Sequence, residues 1–347
     1  MTAGAHTVRA RPRRTARIVA VTGAALVAAA AASVLIGARA TPPAETLAAL
    51  VAGPGGEVGG DLSDLVWRLR VPRTVLALLA GASLAVAGAL AQVWTRNPMA
   101  DPGIIGITSG AGLAVAIGTV AGLTAPASAA LLALLGAALV AALVLAVARA
   151  ADDPLTVLLV GVATAFALTA VTTVLALHQR SVLDGIRQWT VGSTVGRGGT
   201  DLVIAAVGLS VGLVLAALAA RPMDLLSMGA DTATGLGADP AAARTMTAAA
   251  VVVLAGCATA ATGPIAFVGF AAPHLVRRFT GPALTRMLLP VALTGAAMTV
   301  LADVLGRMIA RPGEVEVSVV LAVLGAPLLV AAVARPRLPM RRRRVAS

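Results

Sequence analysis

The chain has 347 residues, 59% of them hydrophobic and only 12% charged, with a mean hydropathy of +0.93 and a formal net charge of +12. Soluble domains carry about 25% charged residues, so this composition excludes an ordinary soluble fold and points to an all-α, polytopic membrane protein. All 27 basic residues are arginine, so a P-loop lysine is missing, while 2% aromatics and the lack of a soluble basic face exclude nucleic acid as a partner.

Residues 1–17 form a basic N-terminal tail, followed by an apolar run at 18–38. The Ala38-Arg39-Ala40 triplet imitates a signal-peptidase site. The run is nevertheless ~20 residues long against the ~7–15 of a signal sequence, so it reads as an uncleaved first span with a cytoplasmic N-terminus. The glycine cluster at 53–60 has no strand before it and reads as an external loop instead of a phosphate cradle. Spans then follow at 72–94, 103–123, 127–148, 156–177 and 200–220, ahead of a polar segment at 221–244 and apolar runs at 245–276, 287–310 and 315–334. Taken literally these are nine spans, which strands the basic tail 335–347 outside. If 245–276 is two crossings that meet at Gly263-Pro264, the count is ten, and both termini and most arginines lie in the cytoplasm. The chain then divides into the tail 1–17, a single permease-type domain at 18–334 and the tail 335–347.

Small residues are frequent inside the spans, including Gly106-x-x-x-Gly110 and Gly208-x-x-x-Gly212, and permit close helix approach within a subunit or across a dimer. Cys257 is the only cysteine, and His6, His178 and His274 are scattered, so neither a disulfide framework nor a metal site is predicted. Asp303 is the main carboxylate within a span, and Arg307 four residues later predicts an i,i+4 pair near the outer boundary. So few intramembrane carboxylates favour energy supplied by a partner over an ion gradient, although a secondary transporter stays open as the alternative.

In the polar segment, Asp224 is expected to cap a short helix carrying Leu225, Leu226 and Met228, Gly235 to end a helical turn, and Asp239-Pro240 to start the next helix. At the outer start of the second span, Arg68, Arg70 and Arg73 crowd a helix N-terminus, where the dipole favours anions. Either a carboxylate from another protein or lipid phosphate would relieve that placement. Glu314 and Glu316 stand close enough in sequence to neutralise Arg311.

Two groups of motifs carry a family resemblance. The first runs from Arg70-Val71-Pro72-Arg73-Thr74 through Gly88-Ala89-Leu90-Ala91-Gln92 to Arg96-Asn97-Pro98-Met99-Ala100-Asp101-Pro102-Gly103. The second comprises Gly263-Pro264-Ile265-Ala266-Phe267-Val268-Gly269-Phe270, Leu301-Ala302-Asp303 and Gly325-Ala326-Pro327. Spread over about residues 65–335, they resemble the FecCD-type permeases of bacterial ABC importers for iron-siderophores, haem and cobalamin. The resemblance implies a permease subunit in the cytoplasmic membrane, paired with itself or a paralogue. It also implies a cytoplasmic ATPase dimer that uses ATP-Mg, an external binding protein and no cofactor on this chain. Iron-siderophore is the commonest cargo of the family, with haem and cobalamin still open. By the same resemblance the fifth span lines the pathway, with Pro154, Leu155 and Thr156 near the inner gate. Gly161 and Thr164 on that span fit either a smooth wall or ordinary helix packing. Leu226, Met228, Gly229, Asp231, Ala233, Leu236 and Gly237 match the segment that docks on the ATPase, and Arg70, Arg73 and Arg307 match positions that receive the binding protein.

Overall fold

The computed structural model describes residues 12–55, 60–150, 154–180, 182, 183, 189 and 191–334. The tails 1–11 and 335–347 lie outside the described residues, so the basic C-terminal tail expected from sequence does too. Among the described residues the secondary structure is helical throughout. The helices are α1 (Pro12–Leu35), α2 (Pro43–Ala52), α3 (Gly60–Asp64), α4 (Val71–Trp94), α5 (Ile107–Val120), α6 (Pro126–Ala150), α7 (Pro154–His178), α8 (Gly199–Leu226), α9 (Ala230–Gly235), α10 (Pro240–Thr262), α11 (Val268–Thr280), α12 (Leu284–Ile309) and α13 (Val317–Ala334). Seven stretches are long and apolar enough to cross a membrane. The shorter α5, α11 and α13 occupy the other positions where the sequence places spans, and of these α5 and α13 are apolar.

The break expected at Gly263-Pro264 is present: α10 ends at Thr262 and α11 begins at Val268. Its backbone is satisfied locally, with the Gly263 N–H on the Thr259 carbonyl at 2.8 Å and the Ser193 N–H on the Thr262 carbonyl at 2.8 Å. Helix α4 runs through the middle of the bundle and packs against α8, α10, α11 and α12, while α1 and α7 lie at the periphery. Such packing needs small surfaces, because lipid supplies no hydrophobic force between helices and close backbone approach must take its place. A Cβ on Gly81 would lie 2.5 Å from the Gly295 carbonyl oxygen, and one on Gly110 2.6 Å from that of Gly136. Gly208 and Gly212 face Cys257 and Leu254 of α10 in the same way, so both Gly-x-x-x-Gly stripes pack inside the subunit.

One feature adds to the sequence expectation and another departs from it. The region between the first two spans contains α2 and α3, on either side of a turn at residues 53–55. It is pinned by the Trp67 indole N–H donating to the Ala49 carbonyl at 3.1 Å and by the Ser63 hydroxyl donating to the Gly53 carbonyl at 3.3 Å. Helix α3, a π-helical turn at Leu65–Arg70 and α4 also run on without a break. Arg70 and Arg73 therefore stand inside a continuous helix, and the dipole gives no separate reason to expect an anion beside them.

Candidate functional site

The arginine end of the bundle is organised around the C-terminus of α1, whose last carbonyls have no partner within their own helix. Arg70 donates to the carbonyls of Val34 (2.9 Å), Leu35 (3.2 Å) and Arg39 (3.0 Å). Arg307 donates to the Ser33 carbonyl at 2.9 Å, the Ile36 carbonyl at 3.2 Å and the Ser33 hydroxyl at 2.7 Å. Arg311 adds a bond to the Gly37 carbonyl at 2.9 Å. Three guanidiniums thus cap one helix end, cations placed where the macrodipole is negative. These contacts tie the end of α1 to the π-helical turn that leads into α4, to α12 and to the connection after α12.

Asp303 is the node of the same cluster, only 1% exposed. It pairs with Arg307 on its own helix, as the i,i+4 spacing predicts, through Nε at 3.0 Å and through Nη2. From α4, Arg73 donates Nε at 3.1 Å and Nη2 at 2.8 Å to the same carboxylate, and the Thr194 hydroxyl donates to it at 2.8 Å. The outer amino group of Arg73 donates to Glu314 at 2.6 Å. Glu314 therefore serves Arg73, and the local neutralisation of Arg311 expected from sequence gives way to an Arg311 bond with backbone.

Above this cluster opens a cavity of about 310 Å³. Arg39, Arg68, Arg70, Arg73, Arg197 and Arg307 contribute to its lining, and Glu314 is the one carboxylate among the lining residues. Arg68 is exposed and shares an ion pair with Asp64 at 2.9 Å. Arg197, in the connection before α8, donates Nε to the Ser193 carbonyl at 3.3 Å; burial lowers its pKa and the charge of Asp201 raises it. A cavity so lined can hold carboxylates or other oxyanions. Arg39, Thr194 and Arg197 escaped sequence reasoning because they lie in connections without hydrophobic periodicity.

At the opposite end, α8 continues through Pro222 to Leu226, where a short helix was expected after Asp224. Asp224 instead caps α12, accepting the Leu284 N–H at 2.7 Å and the Thr285 hydroxyl at 2.7 Å. Asp239 caps α10 as expected, accepting the Ala241 N–H at 2.8 Å. Between them the single turn of α9 is bounded by Gly229 at φ 117° and Gly237 at φ 83°, a region costly to side-chain-bearing residues. Leu226 and Ala233 are buried, whereas Met228, Asp231 and Leu236 are exposed, so the turn offers apolar side chains away from its own core.

Helix α7 bears an uncovered apolar face that includes Leu159, Phe166 and Leu177. Thr156 and Thr164 are partly buried on it. Gly161 is buried, and its carbonyl lies 3.1 Å from the position of a Cβ on Gly106. The side chains of Pro154 and Leu155 lie outside the described residues.

A model of the FecCD transport family matches residues 25–335. The chain belongs to the FecCD transport family. It is 39% identical over 317 residues to the ferric enterobactin transport system permease protein FepD of Escherichia coli, covering 89% of this chain and 92% of that protein. It is 35% identical over 264 residues to the Fe(3+)-citrate import system permease protein YfmD of Bacillus subtilis, covering 76% and 79%. Against the cobalamin import system permease protein BtuC of Halobacterium salinarum it is 36% identical over 270 residues, covering 76% and 71%. A solved structure of a metal-chelate type ABC transporter in an inward-facing conformation superposes with a TM-score of 0.80 at 26% identity, covering 92% of this chain and 99% of that one. Membership in the FecCD family and the apolar helices together make this a multi-pass membrane protein.

Proposed function

We propose that this chain is the permease subunit of an ATP-driven importer in the bacterial cytoplasmic membrane, translocating an iron-siderophore or related metal chelate. The family match across residues 25–335 carries this reading, and the named cargoes of its relatives supply the substrate class. Two permease subunits, both this chain or one a paralogue, would face each other across a pathway lined by α7, whose uncovered apolar face needs a partner or lipid. ATP and Mg²⁺ would be used by a separate ATPase dimer. Purification in mild detergent from native membranes should recover a soluble ATPase and an extracytoplasmic binding protein with the chain. Recovery of neither, with uptake that follows an ion gradient and ignores ATP, would favour a secondary transporter.

The segment 224–239 is proposed as the surface that transmits ATPase motion, since it sets exposed Met228 and Leu236 around a one-turn helix. With ten crossings, six before it and four after it, the segment would lie on the same side as both termini, the cytoplasmic side by the positive-inside rule. Gly229→Val and Gly237→Val should each impose about 1–3 kcal/mol of backbone strain on this turn. Neither position has a crowding neighbour, so the bundle should still insert and fold. The expected result is ATP hydrolysis without uptake, measured in proteoliposomes; unchanged uptake with both substitutions would remove the assignment. A photocrosslinker at Met228 should capture the ATPase, and capture of an external protein would overturn the orientation.

The cavity at the arginine end is proposed as the docking site of the binding protein, with Arg73, whose outer amino group is held by the partly exposed Glu314, among the guanidiniums it would engage. Arg70 and Arg307 contribute to the lining but also cap α1, so their charge reversal would mix loss of docking with loss of fold.

A further inference from the structure

This inference rests on the docking reading of the arginine cavity and concerns how that site is kept closed to stray anions. The fork of Arg73 is split between two carboxylates of unequal standing. Its inner edge is held by Asp303, which is 1% exposed and takes bonds from Arg307 and Thr194 as well. Its outer amino group is held by Glu314, whose side chain is 27% exposed and has Arg73 as its one ion-pair partner among the described residues. Glu314 stands in the connection between α12 and α13, and the Val315 N–H on the Gly306 carbonyl at 3.0 Å holds the next residue in place. Both the Arg73 stem and Glu314 line the 310 Å³ cavity, where every other charged lining residue is an arginine.

We propose that Glu314 is an internal placeholder, occupying the amino group of Arg73 that a carboxylate of the docking binding protein takes over. An arriving carboxylate cannot displace Asp303, because that carboxylate is buried and is also the counter-charge of Arg307 and the acceptor of the Thr194 hydroxyl. It can displace Glu314, because one carboxylate replaces another on Arg73 and the freed Glu314 regains water. The exchange discriminates among anions. A lone weak anion offers nothing beyond what Glu314 already gives, whereas a protein surface adds contacts to Arg39 and Arg197 and so wins the competition. The placeholder thus weakens docking and sharpens its specificity.

Full complex in nanodiscs is titrated with the binding protein recovered from native membranes and, separately, with citrate as a soluble polycarboxylate probe. Glu314→Gln should tighten binding of both by about two- to fivefold, the scale of a partly exposed ion pair. Arg73→Gln should weaken binding, and on that background Glu314→Gln should bring no gain. Glu316→Gln removes the same charge two residues away, outside the cavity lining, and should change nothing. Weaker docking in Arg73→Gln with no tightening in Glu314→Gln leaves the docking site standing and overturns the placeholder. Equal tightening by Glu316→Gln also overturns it, by reducing the effect to the general field. Binding indifferent to both Arg73→Gln and Glu314→Gln removes the docking site itself.

Discussion

Asp303→Ala is expected to lower stability by about 3–5 kcal/mol, the largest effect of any single side-chain deletion in the arginine cluster. The carboxylate is 1% exposed and compensates Arg307 and Arg73 together, so its removal leaves buried Arg307 without a carboxylate partner, Arg73 with Glu314 alone, and the Thr194 hydroxyl orphaned. The loss should spread to α1, because Arg307 holds both the Asp303 pair and the Ser33 carbonyl. Thr194→Val, which deletes one neutral-to-charged hydrogen bond, should cost only about 1.5–3 kcal/mol. Thermal unfolding of detergent-solubilised protein gives the ranking. A midpoint for Asp303→Ala equal to that of the unsubstituted protein would show that water reaches the cluster and screens it.

Gly88→Val is the second large loss, and its origin is steric. At the crossing of α4 and α11, a Cβ on Gly88 would sit 1.9 Å from the carbonyl oxygen of Gly269 and 2.4 Å from its Cα. Backbone cannot swing aside as a side chain can, and the same Gly269 carbonyl already accepts a bond from Gln92 at 3.2 Å. Even Gly88→Ala should therefore fall at or beyond the upper end of the roughly 1–3 kcal/mol typical of overpacked cores. Gly88→Val should prevent recovery of monodisperse protein. Gly23→Ala is the contrast, since nothing lies within 4 Å of its Cβ position on α1 and helix propensity favours alanine by up to about 1 kcal/mol. Equal yields and melting midpoints for Gly88→Ala and Gly23→Ala would refute the close crossing.

The sequence alone determined the membrane class, the long apolar helices and the break at Gly263-Pro264, because each rests on local signals: apolar length and a helix-breaking pair. It also gave the Asp303–Arg307 pair and the Asp239 cap, whose partners lie within four residues. Only the tertiary structure decided that Arg73 meets Asp303 across 230 positions, that Asp224 caps a helix 60 positions away, and that Arg70 and Arg307 close the end of α1. No spacing rule encodes those partners, because the topology of the bundle brings distant helix ends together. The same topology turned three apparently surplus arginines into a largely internal scaffold, since an orphaned helix end near lipid must find its hydrogen-bond donors within the protein.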